Sequence, residues 1–248
     1  MVMDADAQTP VTKLDDSSVY GAPEVFASSP LGLIVDLVRF GALGWYVWHS
    51  RRIRGWVRGA EAVALARASY GLSASPVIVE VGSFLGCSTV LLAGARKLRS
   101  SGRVYCIDPF AASGDAFSVP IYQTIAESLK MSLREQFERH IDRAGLIDQI
   151  AVLQMTAIEA AASWDRPIDM LYLDGDQSPD GARTAYLAWR RFLKPSAVLA
   201  INNSADGQHP PGHDGSLRVA EEFIHAPDFC DVHRVEQITF AVRAAGSR

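Results

Sequence analysis

The stretch Val77–Thr89, which reads VIVEVGSFLGCST, decides the fold of this chain. Its first five residues are apolar and mostly β-branched except for Glu80, as in a strand that is covered on both faces of a sheet. Two glycines then allow the backbone to turn tightly and to approach a ligand without a Cβ in the way. A helix predicted to open at Ser88 or Thr89 would direct its free N–H groups at this loop. The stretch therefore predicts a Rossmann-type crevice.

A second apolar run, Gly102–Asp108, is predicted to form the next strand, and it ends in a carboxylate. An acid at the tip of this strand can accept both hydroxyls of a ribose. A turn-former before Pro109 is the alternative reading. Taken together, the two strand tips favour an adenosyl ligand.

The spacing of the loop, Glu80-x-Gly82-x-x-x-Gly86, differs from the Gly-x-Gly-x-x-Gly of dinucleotide-binding loops. With Asp108, residues 75–205 resemble the class I S-adenosylmethionine-dependent methyltransferases, although a plain structural turn is an alternative. The resemblance implies that S-adenosylmethionine binds in the crevice and that Glu80 orders the loop from behind through hydrogen bonds. The cofactor-binding residues predicted in this way are Glu80, Gly82, Ser83, Gly86, Ser88, Asp108, Thr156, Ala157 and Asp174.

Apolar runs alternate with helical stretches after Val77, which predicts an α/β fold with a Rossmann-like, doubly wound and mostly parallel sheet. The resemblance implies that the last two strands pair antiparallel at the sheet edge. The predicted strands are 77–81, 103–107, 149–153, 168–173, 196–201, 230–235 and 237–243, and the predicted helices lie near 88–99, 121–144, 156–163, 180–192 and 216–225.

The N-terminal part of the chain is predicted to contain a flexible arm, 1–30, and a helical cap or dimer segment, 31–74, before the cofactor-binding domain, 75–248. The segment Leu31–His49 is nearly all apolar, but central charges argue against a spanning helix. A basic and aromatic mixture follows. It suits a cap over the cofactor, a homodimer contact, peripheral contact with a membrane or an ordinary solvated face. Its members are Trp45, Trp48, Arg51, Arg52, Arg54, Trp56 and Arg58.

Composition predicts a cytoplasmic enzyme. The net charge of −4 gives no bulk attraction to nucleic acid. The three cysteines are scattered, so we expect neither a disulfide framework nor a zinc cluster. The first residues show no secretory signal pattern.

A pair of acids, Asp174 and Asp176, follows the predicted strand 168–173 at the edge where open α/β sheets bind ligands. This segment resembles a bacterial branch of the family that includes sugar and natural-product O-methyltransferases. In that branch, the acid matching Asp174 binds a divalent metal and helps to deprotonate the acceptor hydroxyl. Asn202 and Asn203 follow the next strand, where relatives place two acids or an acid and an amide. Two hypotheses therefore stand: a Mg²⁺ site formed by these three residues, or amides that bind substrate hydroxyls.

The loop that follows, Asp206–Gly215, contains two histidines, His209 and His213. A neutral imidazole is a suitable base for an acceptor hydroxyl because its pKa lies near the working pH. The candidate catalytic residues are thus Asp174, His209 and His213, with surface-loop histidines as the alternative reading.

These features predict an S-adenosylmethionine-dependent O-methyltransferase that acts on a hydroxylated small molecule. A sugar or glycoside is favoured, a phenol or polyketide is the alternative, and no nucleic acid partner is expected. A non-catalytic partner protein that retains the fold is a further alternative, because the two amides replace acids.

Overall fold

The structure, a computed structural model, describes residues 29–246, so that the predicted arm lies almost wholly outside the described residues. Its seven strands are β1 Val77–Val81, β2 Arg103–Ile107, β3 Ile150–Leu153, β4 Ile168–Leu173, β5 Leu193–Ile201, β6 Phe229–Val235 and β7 Ile238–Arg243. They form one sheet in the order β3-β2-β1-β4-β5-β7-β6. Strands β1 to β5 are parallel, whereas β7 is antiparallel to both β5 and β6. The predicted fold class is confirmed.

Helices cover both faces of the sheet. Their bounds are α1 Pro30–Phe40, α2 Leu43–Arg51, α3 Gly59–Gly71, α4 Cys87–Leu98, α5 Val119–Ser128, α6 Leu133–Arg143, α7 Ala157–Ala162, α8 Pro179–Trp189 and α9 Gly215–Phe223. Alternate residues of each strand point to opposite faces, so Ile78 packs in one core with α4 and α6 while Val79 packs in the other with α8 and α9. Because these strands are parallel, the carboxyl ends of β1, β2, β4 and β5 share one edge of the sheet.

Several element bounds differ from the prediction. The helix predicted near 180–192 ends at Trp189, and the strand predicted at 196–201 begins at Leu193. The stretch 121–144 forms two helices, since Ser132 and Glu135 make a capping box that begins α6. The helix after the glycine turn begins at Cys87, so Ser88 and Thr89 lie inside its first turn. Their hydroxyls are therefore turned toward β1 rather than capping the helix.

The basic and aromatic mixture is divided among separate contacts. Arg51 forms an ion pair with buried Asp36 at 2.8 Å, and the Arg52 guanidinium lies 4.5 Å from the centre of the Trp48 ring. Arg58 donates to the Ile53 carbonyl and to the Cys87 thiol at the start of α4. The cluster thus ties α1 to α2, and the segment before α3 to the start of α4.

An exposed apolar face remains on α1, where Leu31 and Val38 are 68% and 81% exposed. No helix within residues 29–246 is long and apolar enough to cross a membrane.

The N-terminal helices dock on α4 through a close contact at Gly94. A Cβ at this position would lie 2.1 Å from the Tyr46 ring of α2, and Tyr46 is buried. Helix α2 can therefore approach only a residue without a side chain.

Replacing Gly94 by alanine should lower the free energy of unfolding by about 1–3 kcal/mol, because the added methyl overpacks a buried contact. Gly71→Ala is the matched control, since a Cβ at the end of α3 meets nothing within 4 Å. The control should leave stability unchanged or raise it by up to about 1 kcal/mol. Urea denaturation of both variants measures the difference, and equal stabilities would contradict the docking contact.

Candidate active site

The turn after β1 depends on glycine. Gly82 has φ +89°, and a Cβ there would lie 2.1 Å from the carbonyl oxygen of Asp174. The tips of β1 and β4 are joined at this point, because the Asp174 N–H donates to the Val81 carbonyl at 2.8 Å. Gly86 also has positive φ, +91°. The loop is therefore a cradle of backbone groups with no side chain at its narrowest point.

Glu80 lies behind this loop and is fully buried. Its carboxyl oxygens accept hydrogen bonds from the hydroxyls of Ser83 at 2.7 Å, Ser88 at 2.6 Å and Thr89 at 2.5 Å. Burial raises the pKa of Glu80, while these three hydrogen bonds act in the opposite direction. The arrangement expected of Glu80 from the sequence is the one the structure has.

Asp108 links the tip of β2 to the same loop. The backbone N–H of Phe84 donates to one carboxyl oxygen at 2.8 Å, and that of Phe110 donates to the other at 2.6 Å. Burial raises the pKa of Asp108, and these backbone hydrogen bonds oppose the rise. Each carboxylate oxygen has a second lone pair, so the side chain can hold the loop and still accept ribose hydroxyls.

Thr156 and Ala157 stand after β3 at the start of α7. The Thr156 side chain forms a capping box with Glu159, so its hydroxyl caps the N-terminus of α7. The glycine cradle, the ordered hydroxyls around Glu80 and the acid at the β2 tip fit an adenosyl ligand.

Asp174, at the tip of β4, accepts three hydrogen bonds. Asn202 donates its amide to one oxygen at 2.8 Å, Gln177 donates to the same oxygen at 3.4 Å, and the Tyr172 hydroxyl donates to the other at 3.0 Å. Burial raises the pKa of Asp174 to about 7, although the hydrogen bonds from Asn202 and Tyr172 lower it.

His213 forms a buried pair with Asp115, a residue that sequence reasoning missed. Its Nδ1 lies 3.1 Å from Asp115 Oδ1, and its Nε2 lies 3.4 Å from the amide nitrogen of Asn203. Both contacts are satisfied by one tautomer, with the proton on Nδ1. Burial alone would raise the pKa of Asp115, but hydrogen bonds from His213 and Ser118 hold it below its ordinary value.

A pocket at this edge has aromatic and apolar walls and a polar end. Trp56 comes from the N-terminal segment, and its ring centre lies 5.6 Å from that of Tyr122 and 5.9 Å from that of Phe84. The lining residues are Trp56, Phe117, Ser118, Ile121, Tyr122, Asp174, Asn202, Asn203 and His213.

The structure therefore brings together Asp174, Asn202, Asn203 and His213, but it separates His209 from them. His209 Nε2 lies 3.0 Å from the Ala205 carbonyl, and its ring lines a different surface groove. Asp176 accepts from the backbone N–H of Ser178 at 2.9 Å and acts as a turn acid before α8. Nothing in the spacing of Asp115 and His213 could have revealed their contact.

The predicted metal ligands do not fit a divalent cation. Among the described residues, no group of three or more His, Cys, Asp or Glu side chains could hold one. Both oxygens of Asp174 face hydrogen-bond donors, and Asn202 presents its amide nitrogen to the carboxylate. Mg²⁺ requires oxygen ligands in near-octahedral geometry, which this arrangement does not supply.

Another buried carboxyl, Glu61, lies near Asp174. Glu61, in the first turn of α3, is 5% exposed and accepts a hydrogen bond from the Gln237 N–H at 2.7 Å. Burial raises its pKa to about 7, against the lowering effect of that hydrogen bond.

A family of known proteins matches the part of the chain that forms most of this edge. The model of the family Methyltransf_24, described as a methyltransferase domain, matches residues 79–204. This range runs from β1 through the glycine turn to Ser204, just after the Asn202–Asn203 pair.

Solved structures share the fold. Cofactor-bound Rv0187 from MTB has a TM-score of 0.60 at 15% identity, with 91% of this chain and 100% of that chain covered. The O-methyltransferase TomG from Streptomyces achromogenes, in complex with SAM, has a TM-score of 0.57 at 18% identity. The match covers 88% of this chain and 97% of that chain. An rRNA methylase from Streptococcus thermophilus has a TM-score of 0.51 at 12% identity. The match covers 77% of this chain and 99% of that chain. The predicted resemblance to class I methyltransferases is confirmed, whereas the fold alone does not identify the acceptor.

Glu61→Gln should stabilise the protein at alkaline pH and change it little near pH 5. A carboxyl whose folded pKa is raised keeps its proton up to about pH 7, whereas the unfolded chain releases it near 4.5, so wild-type stability falls as pH rises through this window. Glutamine retains the acceptor oxygen without the charge, and its advantage should reach up to about 3 kcal/mol above pH 8. Denaturant unfolding of both proteins at the two pH values measures this. An advantage that is the same at both would contradict the assigned burial of the charge.

Proposed function

The chain belongs to the methyltransferase-domain family, and on that premise we propose that it transfers the methyl group of S-adenosylmethionine to a hydroxyl of a small aromatic molecule. The observation that carries the proposal is the pocket beside the glycine cradle. Its polar end contains Asp174, Asn202, Asn203 and His213, and its walls are aromatic. S-adenosylmethionine, when bound, supplies an electrophilic methyl on sulfur.

The walls favour a planar acceptor. Trp56, Phe117 and Tyr122 offer ring surfaces, and Ile121 adds an apolar contact. An aromatic ring between such surfaces gains from stacking and from burial of its faces. A sugar or glycoside, which the sequence favoured, would bury polar groups against these rings, although the amides of Asn202 and Asn203 suit it at one end. A phenol or aromatic polyketide is therefore the acceptor class that we propose first.

The protein's contribution is to position the acceptor and to remove water from the reaction. Holding the hydroxyl near the bound methyl avoids the entropy cost of an encounter in solution. The polar end of the pocket orients the hydroxyl through hydrogen bonds, while the aromatic walls exclude solvent. Metal assistance remains a separate hypothesis. It requires activity to disappear on chelation and to return with magnesium.

The predicted homodimer also stays a proposal. The apolar face of α1, with Leu31 and Val38, is the surface that we assign to it, and size-exclusion chromatography with light scattering measures the mass. A monomer at micromolar concentration would contradict this proposal without bearing on the activity.

Wild-type protein should bind S-adenosylhomocysteine. Asp108→Ala should weaken that binding by about 10- to 150-fold, or roughly 1.5–3 kcal/mol, because charge-assisted hydrogen bonds to the ribose are lost. Asp165→Ala is the control, since this acid is 89% exposed and precedes β4 at the opposite edge of the sheet. Titration calorimetry measures both variants. Binding that is unchanged in Asp108→Ala would remove the ribose assignment.

The acceptor class is tested separately. Wild-type protein should methylate phenols in a panel that also contains sugars and glycosides, with mass spectrometry of the products as the readout. Methylation of sugars alone would contradict the aromatic acceptor, and cofactor binding without transfer to any acceptor would favour a non-catalytic partner protein.

A further inference from the structure

We propose that His213 is the general base of this reaction and that Asp115 is the residue that positions it. The inference rests on the proposed function and adds a catalytic pair that operates without a metal. The observation behind it is the buried contact between an imidazole and a carboxylate at the polar end of the acceptor pocket.

The carboxylate of Asp115 is fixed in place. Its Oδ1 accepts the backbone N–H groups of Phe117 and Ser118, each at 3.0 Å, and His213 Nδ1 at 3.1 Å. Its side chain is 1% exposed, so it cannot turn toward solvent without breaking these contacts. An oxygen held by two backbone N–H groups is a rigid acceptor, and it therefore defines the direction of the imidazole.

This contact also fixes the tautomer. A carboxylate can only accept, so the proton shared with Asp115 resides on Nδ1, and Nε2 carries the lone pair. The Nε2 atom faces the Asn203 amide nitrogen at 3.4 Å, on the side where both residues line the pocket. A hydroxyl that enters the pocket reaches the Nε2 lone pair by displacing this long contact from Asn203, which lines the same pocket.

Other polar groups of the pocket are less suited to take the proton. Burial raises the pKa of Asp174 to about 7, but both of its oxygens already accept hydrogen bonds, from Asn202, Gln177 and Tyr172. The Nε2 atom of His213 faces one donor, at 3.4 Å. The Tyr122 hydroxyl, whose pKa burial raises, stays protonated and is a donor. These two groups and Asp115 are the titratable residues that share the pocket or its wall with His213.

The proton and electron balance closes without a further reactant. The acceptor O–H bond breaks as its proton moves to Nε2, and the oxygen electron pair forms the new O–CH₃ bond. The electron pair of the methyl–sulfur bond remains on sulfur, which leaves as the neutral thioether S-adenosylhomocysteine. The positive charge passes to the imidazolium, where Asp115 stabilises it, and the proton then leaves to solvent.

The test compares phenols that share one ring size but differ in the acidity of the hydroxyl. His213→Ala should lower kcat about 10²- to 10⁴-fold for the least acidic phenol. The loss should shrink steadily toward the most acidic phenol, because a phenolate that forms without help needs no base. Asp115→Asn should show a smaller loss with the same trend, since the amide keeps an acceptor oxygen but not the charge. Neither variant should change S-adenosylhomocysteine affinity by more than about twofold.

Several controls separate the outcomes. His225 is exposed and does not line the pocket, so His225→Ala should retain wild-type kcat for every phenol. If the His213→Ala protein does not fold, His213→Gln replaces it. A loss that is equal for all phenols, or no loss, would overturn the assignment of His213 as base while leaving the methyltransferase function intact. Activity abolished by a chelator in wild-type protein would overturn it in favour of a metal. Failure of wild-type protein to methylate any acceptor would remove the proposed function itself.

Discussion

The contact between Gly82 and the Asp174 carbonyl is the constraint on which the functional edge depends. The strands β1 and β4 pair in register up to their tips, and the main chain of one then passes against the main chain of the other. Any side chain at Gly82 would separate these tips. Because the glycine cradle follows β1 and Asp174 of the proposed acceptor pocket follows β4, this backbone contact holds the two close together.

Buried carboxyl groups give the same edge its electrostatic character. Glu80 supports the loop and Asp174 lines the pocket, and burial raises the pKa of each. Such clustering has a cost in stability at alkaline pH. Natural sequences keep costly buried acids where they order a site, and here each acid fixes hydroxyl or amide groups in one orientation. Asp115 differs, since backbone and histidine hydrogen bonds favour its charged form.

The sequence predicts the features that arise from local periodicity and turn chemistry. The bounds of β1, β2 and β4 agree with prediction because apolar runs between glycine and proline are unambiguous. The division of 121–144 is also encoded locally, in the capping box that starts at Ser132, but the helical periodicity on either side obscures it. Local signals therefore determine most of the fold.

The pocket is less predictable because its residues meet only through the tertiary fold. Asp115 and His213 come from the loops after β2 and β5, and no spacing rule relates them. Trp56 reaches the pocket from the helices before β1, so the N-terminal segment contributes a wall to a site whose polar end belongs to the sheet edge. The sequence identified its aromatic and basic character but not which tryptophan lines the pocket.

The cradle and the pocket are built from different parts of the chain. The cradle is built from main-chain groups and short polar side chains that pack against the buried Glu80, so a change there disturbs the sheet. The pocket instead takes its walls from segments outside the paired strands: the N-terminal helices, the start of α5 and the loop before α9. Substitution in these segments should reshape the pocket while the paired strand tips keep their positions. Acceptor choice should therefore depend on residues such as Trp56 and Phe117, whereas the Gly82 contact constrains the cofactor site.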